Sequence, residues 1–400
     1  MVNIEEVKTK KQQKIFVQFQ LDLYKDCPYF VPPIVSDELK IFNPKKNANF
    51  DDCEAVYYLA YKDGKVVGRI AGILQKASNA KTGKKLVRFS RVDFVDDIEV
   101  SKALFEAVEK WAKSKKMEAV HGPLGFNDLE REGLLIEGFD QMSTFEENYY
   151  YPYYKEHLDK LGYTKDVDWL EYKIFIPDKI DERIGRISEK VAQRYGLREV
   201  KFKSKSKMID QYKDQIFRLI NDCYGPLYGV VEINEKLQAQ FVGQFKLAVN
   251  TRYLCLVVNA EDKLVGFGLA FPNFSNSIKK MNGRLFNPHI FGLLRELKHP
   301  KICDFALFAV DQEYRDKGVT SFIFNKILNN FIEDKIEYCE SLLQLEDNVT
   351  IMNQFNSYDR QFHKRRRCYI KQLTKTVNNS AQSRKKKRPT KRNNYTKKQS

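Results

Sequence analysis

Two stretches of the chain alternate apolar and polar positions in the same way, and the alternation predicts a repeated unit. Tyr58-Leu-Ala-Tyr-Lys-Asp-Gly-Lys-Val-Val-Gly68 reads as strand, tight turn, strand, with Asp63-Gly64 at the turn. Leu254-Cys-Leu-Val-Val-Asn-Ala-Glu-Asp-Lys-Leu-Val-Gly266 has the same form, and Lys65 and Lys263 are 198 residues apart. A strand and an amphipathic helix follow each hairpin. In the first half these are Phe89–Val95 and a helix from about Lys102 to Lys115, with Leu104, Val108 and Trp111 on one face. In the second half they are Asp304–Val310 and a helix from about Thr320 to Asp334, with Ile323, Ile327, Leu328 and Phe331 on one face.

Each half then offers another strand, Glu118–His121 and Tyr338–Gln344. Helices over Tyr153–Leu161 and Val349–Tyr358 come next, with closing strands over Leu170–Ile176 and Arg367–Leu373, each ending its own half. A period near 200 residues implies two similar α/β domains rather than a solenoid, each a mixed, mostly antiparallel sheet flanked by helices. The expected division is 1–176, a linker or bridging helix over 177–207, then 208–373.

Composition changes the picture chiefly at the C-terminus. Lys and Arg number 69 against 53 Asp and Glu, a net charge of +16. Ten basic residues and no acidic one lie in 374–400, which leaves a body of about +6 and predicts a disordered basic tail. No apolar run approaches the roughly 20 residues that span a bilayer, and the N-terminus lacks an apolar signal core. The expectation is a cytoplasmic chain with no membrane partner. The seven cysteines are scattered with no Cys-x-x-Cys, and the five histidines are isolated, so no metal is expected.

The segment Ala309-Val310-Asp311-Gln312-Glu313-Tyr314-Arg315-Asp316-Lys317-Gly318-Val319-Thr320 joins a strand directly to a helix. Backbone N–H groups and the helix dipole converge at such a turn and suit a pyrophosphate, with Arg315 and Lys317 adding charge and Gly318 permitting a close approach. Arg315-x-x-Gly318-x-Thr320 resembles the pyrophosphate loop of the GNAT acyltransferase superfamily, Gln/Arg-x-x-Gly-x-Gly/Ala, and the whole resembles its tandem-domain bacterial members. Asn348, after Leu345-Glu-Asp, resembles the family's strand-end Asn. In the first half the loop is about three residues shorter and holds Asp96, Asp97 and Glu99, so that half reads as a degenerate domain without a pyrophosphate loop.

The resemblance implies transfer of an acetyl group from acetyl-CoA to a small-molecule or peptide amine. It places the pantetheine and thioester on backbone groups of Phe308, Ala309 and Val310, and the pyrophosphate on Arg315, Lys317, Gly318, Val319 and Thr320. The family's acid Tyr position falls on Phe355, so Tyr358 is the substitute. Asp304 and Glu232 are candidate bases, with Asp304 read as a surface acid. Tyr224 and Tyr228, in Cys223-Tyr-Gly-Pro-Leu-Tyr-Gly229, are candidates for the acceptor wall, and the Tyr-rich run 148–154 for a cleft between domains. The rival reading is an inactive GNAT-fold module that docks on nucleic acid or another polyanion through His363–Arg367 and the tail; Arg365–Arg367 otherwise read as a strand with solvated outward charges. A third is a Fem-type aminoacyltransferase.

Overall fold

A computed structural model describes residues 1–180, 182–202, 204–246, 248–348 and 358–373. The first half runs β1 (Asn3–Glu6), α1 (Lys10–Leu23), α2 (Val35–Glu38), β2 (Cys53–Lys62), β3 (Lys65–Gln75), α3 (Lys76–Thr82) and β4 (Leu86–Phe94). It continues with α4 (Ile98–Ser114), β5 (Ala119–Gly122), β6 (Leu134–Glu137), α5 (Tyr153–Lys160) and β7 (Thr164–Phe175). Then come α6 (Glu182–Tyr195), β8 (Arg198–Glu199), α7 (Lys205–Tyr224), α8 (Glu235–Phe245), β9 (Leu254–Val258) and β10 (Leu264–Pro272). The last elements are α9 (Ser275–Lys280), α10 (Ile290–Lys298), β11 (Ile302–Val310), α11 (Val319–Glu333), β12 (Tyr338–Glu340), β13 (Gln344–Leu345) and β14 (Arg360–Gln372).

The two hairpins form as the alternation predicts. Asp63 and Gly64 both take positive φ, 52° and 75°, the backbone that a two-residue hairpin turn requires. The glycines that end the repeated segments have a packing reason. A Cβ on Gly68 would lie 2.7 Å from Leu104 of α4, and one on Gly266 would lie 3.0 Å from Ile323 of α11. Each half needs a bare backbone there so that its helix can lie down on the sheet.

One sheet runs through both halves, in the order β1-β2-β3-β4-β5-β14-β7-β12-β11-β10-β9-β8. The closing strands depart from expectation. Each is longer at its start, and each closes the other half. β14, from the end of the chain, pairs with β5 through Tyr369↔Gly122 and Ile370↔His121. β7, from the first half, pairs with β12 through Tyr338↔Phe175 and Cys339↔Ile174. The two then pair with each other along their lengths, from Arg360↔Ile174 to Ile370↔Thr164. Neither half completes its sheet without a strand from the other.

The exchange buries charge at the centre. Lys364 and Arg366 lie on one face of β14 and are fully buried. This corrects the reading of Arg365–Arg367 as outward and solvated at Arg366, and it removes Lys364 and Arg366 from any docking surface over His363–Arg367. Lys364 Nζ is 2.5 Å from Glu147 and 2.7 Å from Glu171, and Arg366 reaches the same two carboxylates. Burial alone would raise the Glu147 carboxyl, but Lys364 and Arg366 outweigh it and hold it well below the usual carboxylate range. On the opposite face Arg367 pairs with Asp168, and Arg365 with Glu137. The basic run is therefore mostly neutralised inside the fold. Tyr149, Tyr150 and Tyr154 of the tyrosine run are buried in the first core, and Asn148 and Tyr150 also line a cavity between the first half and α8–α9.

Candidate functional site

In each half two parallel strands stay together for three residues and then part. β11 and β12 pair at Ile302↔Tyr338, Cys303↔Cys339 and Asp304↔Glu340, after which β11 continues alone to Val310. β4 and β5 do the same from Leu86↔Ala119 to Arg88↔His121. The parting leaves strand-edge N–H and C=O groups without a ladder partner, which is where a ligand amide can dock.

Both open edges are occupied by tyrosine hydroxyls. Tyr224, at the end of α7, accepts from Phe308 N–H and donates to Phe308 C=O, each at 3.0 Å. Cys223 donates from Sγ to Val310 C=O. Tyr224 and Tyr228, the candidates for the acceptor wall, both line the cavity described below, and the Tyr224 hydroxyl also sits on the edge assigned to pantetheine. Ala309 faces the other way, in register with Phe267 of β10. In the first half Tyr154 accepts from Phe94 N–H at 2.9 Å, and Tyr153 donates to Phe94 C=O at 2.6 Å.

The turn after β11 keeps the features that favour an anion. Gly318 has φ 81°, and α11 starts behind it with no side-chain cap on its first N–H groups. Arg315 and Lys317 are exposed, Thr320 is half-buried and Val319 is buried. These residues fit a coenzyme A pyrophosphate. The matching turn of the first half does not. Asp97 caps α4 by accepting from Glu99 N–H, and Lys62 neutralises Asp97 and Glu99. Its helix start is satisfied by its own acids.

Behind the second splay lies an apolar cavity of about 320 Å³. Ile216, Phe217 and Ile220 of α7, Phe241 of α8, and Leu254 and Phe267 of the sheet wall its apolar side. Ala306 and Leu307 of β11, Leu342–Leu345 and Asn348 border it at the splay. Asn348 follows the end of β13. The first half supplies the acids, Asp128, Glu130, Glu132, Glu146 and Glu147, with Trp169, while Lys213 and Lys246 of the second half add two cations to the lining. A neighbouring cavity of about 860 Å³ shares Glu130, Glu146, Phe241 and Phe271 with it and extends between α8, α9 and the first half.

Several of these carboxyls are strongly perturbed. Burial pushes Glu132 well above its ordinary value, and the charge of Asp128 adds to this. Burial pushes Asp128 up as well. Asp304 is buried rather than on the surface; it accepts from Asn273 Nδ2 and is raised by burial and by Glu340. Glu232 is exposed. Sequence reasoning missed Glu132 and Asp128 because they come from the half without a pyrophosphate loop.

Tyr228 also crosses between halves. Its hydroxyl donates to Asp166 Oδ2 at 2.5 Å and lies 2.9 Å from His121 Nδ1 and 3.3 Å from Cys368 Sγ. Chain spacing gave no sign of this group. His121, Asp166 and Cys368 are one of two clusters of metal-ligand types among the described residues; the other is Glu171, Glu340 and His363, beside Lys364. The Tyr228 hydroxyl bridges the first, and Lys364 supplies charge to the second. Tyr358 packs on Phe324 of α11 with ring centroids 5.2 Å apart. Phe355, most of the helix expected over 349–358 and the tail lie outside the described residues.

The architecture recurs in solved structures. Over 94% of this chain and all of the other, it is similar to a tandem GNAT protein from the clavulanic acid biosynthesis pathway, with a TM-score of 0.54 and 12% identity. This is a tandem GNAT fold. The tandem GNAT architecture also matches a GCN5-related glucosamine N-acetyltransferase region of a fungal multidomain β-N-acetylglucosaminidase, with a TM-score of 0.51 and 10% identity, over 93% of this chain and 38% of that one. No family model matches the chain. By sequence it is 27% identical over 372 residues to protein YghO of Escherichia coli, covering 91% of this chain and 94% of that protein. It is 25% identical over 281 residues to a bacterial ceramide synthase of Caulobacter vibrioides, covering 70% and 72%. Among the described residues no helix is long and apolar enough to cross a membrane.

Proposed function

We propose that the protein is an N-acyltransferase that joins a long-chain acyl group, delivered as a coenzyme A thioester, to an amine carried by a lipid-like acceptor. The apolar cavity at the second splay carries this reading. A two-carbon acetyl group would leave most of its Phe, Ile and Leu wall facing water, whereas an alkyl chain would cover it. The likeness to a bacterial ceramide synthase supports an amide-forming reaction between lipids. Arg315, Lys317 and the start of α11 would hold the pyrophosphate, and the thioester supplies the activated acyl carbon.

The test is to incubate the full chain with palmitoyl-CoA or acetyl-CoA and a long-chain 2-amino alcohol, then to detect products by mass spectrometry. The expected result is an amide formed faster from palmitoyl-CoA. A product from neither donor overturns the reading.

A second reading, a non-catalytic GNAT-fold module, is favoured by one observation: the Tyr224 hydroxyl takes both backbone groups of Phe308. Its polyanion contact would rest on the tail, because Lys364 and Arg366 are buried. Titration with palmitoyl-CoA separates the two, since only the enzyme needs a coenzyme site.

A further inference from the structure

We propose that Glu132, with Asp128 on the same wall, seats the ammonium group of the acceptor and takes its proton. This rests on the N-acyltransferase reading and adds the acceptor's position and its base. Glu132 is 8% exposed and lines the apolar cavity, yet it makes no hydrogen bond or ion pair among the described residues. Asp128 Oδ1 is likewise buried without a partner. A buried carboxyl is normally hydrogen-bonded, and an unpartnered one is costly. The cation whose charge acts on it, Arg88, spends its guanidinium on the carbonyls of Gly125, Phe126 and Gly229. The pair lies on the wall of the cavity whose apolar side the acyl chain would cover, so an ammonium seated on it stands beside that chain; Lys213 and Lys246 border the same cavity from the second half. The two carboxyls come from the loop between β5 and β6, so the first half supplies the acceptor site while the second supplies the donor loop.

The chemistry balances. On entry of the ammonium, Glu132 releases its own proton to solvent and pairs with the cation. Glu132 then takes one ammonium proton, which frees the nitrogen lone pair, and the neutral amine bonds to the acyl carbon. The carbon–sulfur bond breaks, and the second nitrogen proton goes to the leaving thiolate. One proton is released overall, and Glu132 ends protonated.

The test compares dodecylamine with dodecanol binding to the full chain by calorimetry, in wild type, Glu132→Gln and Asp128→Asn. Both substitutions are near-isosteric and leave no carboxyl to desolvate. Amine affinity should fall about tenfold or more in Glu132→Gln while alcohol affinity is unchanged. With an active wild type, amide formation should fall about 100-fold. Equal amine affinity in wild type and Glu132→Gln overturns the assignment even if the wild type is active. A fall in amine affinity in Glu132→Gln, with a wild type that binds the amine but forms no amide, keeps the amine site and removes the N-acyltransferase reading.

A separate observation carries a second inference. We propose that the α9–α10 segment seats on an anionic lipid surface as a peripheral contact. Phe286, Phe291 and Leu294 are 106%, 76% and 47% exposed. The inner side of the same segment is packed, with Ile278, Met281 and Leu293 on Val31. The outward apolar side chains are therefore held rigidly against solvent. Lys280, Arg284, Arg295 and Lys298 are exposed around them, and Glu296 is the one acid from 275 to 301. Aromatic and aliphatic side chains ringed by cations suit the headgroup boundary of an acidic bilayer. Leu285, Leu293 and Leu297 of this segment also wall the larger cavity.

Sedimentation with vesicles of phosphatidylcholine, alone or mixed with phosphatidylglycerol, tests this on the full chain. Binding to the mixed vesicles should weaken about tenfold or more in a Phe286→Ser, Phe291→Ser, Leu294→Ser triple variant, and also in Lys280→Glu, Arg295→Glu, Lys298→Glu. A serine variant that binds like wild type shows tail-driven binding and overturns the proposal. So does a wild type that stays in the supernatant, or a wild-type dimer that the serine variant converts to monomer.

Discussion

Tyr224 and Phe308 are joined by two hydrogen bonds of 3.0 Å through one hydroxyl, which both accepts from the Phe308 N–H and donates to its C=O. The hydroxyl does what a pantetheine amide would do at an open strand edge. Tyr224→Phe removes it while keeping the ring. The variant should lose about 1–3 kcal/mol of stability, because two half-buried backbone groups lose their partner. Palmitoyl-CoA affinity, read by calorimetry, should rise as the edge becomes available. Unchanged affinity would show that the donor does not use this edge.

Lys364 sits fully buried between Glu147 and Glu171, at the seam where β14 lies against β7. Lys364→Met leaves the two carboxylates with Arg366 as their main cation, and it should destabilise the protein by about 3–5 kcal/mol. Combining it with Glu171→Gln removes one unpaired charge and should recover part of the loss. Chemical denaturation of the single and double variants checks this. A Lys364→Met protein as stable as wild type would mean that water or a rearranged Arg366 neutralises the acids.

The hairpin and the helix after the third strand of each half were legible in the chain because they are local patterns; α1, α7 and α8 were not read from it. Asp63-Gly64 announces its own turn, and Leu104, Val108 and Trp111 announce one helical face. The strand exchange was not legible, since a strand's periodicity says which face is buried and not which neighbour it pairs with. One signal was available. Lys364 and Arg366 alternate with Arg365 and Arg367 on β14, and Asp168 and Glu171 lie on β7 with opposite charge. Complementary charges on two long strands suggest that they pair, and the buried face of that pairing holds the salt-bridge network. The acidic wall of the cavity was hidden for the same reason: Asp128, Glu132 and Glu147 belong to one half and line a cavity of the other.

Gly318 holds φ 81° at the start of α11, and a Cβ there would lie 2.8 Å from Val191 Cγ2 of α6. Gly318→Ala should cost about 1–2 kcal/mol for the left-handed backbone alone, and α6 must shift to admit the methyl. If the uncapped turn holds pyrophosphate, coenzyme A affinity falls with stability. A stability loss with unchanged coenzyme A affinity would move the donor site elsewhere.

Glu146 borders both cavities, and burial raises its carboxyl from the ordinary 4.5 to about 7, with the charge of Glu147 adding and that of Arg131 opposing. The folded state therefore keeps a proton that the unfolded state has already released between those values. Where the folded state binds more protons, stability falls as pH rises. The penalty is absent below 4.5, grows through the interval and is complete above 7. Glu146→Gln removes it, because the amide stays neutral throughout. Thermal midpoints of the two proteins should coincide near about pH 4 and separate toward about pH 8, with the variant higher. Parallel curves over that range would show that Glu146 is as well solvated in the folded protein as in the unfolded chain.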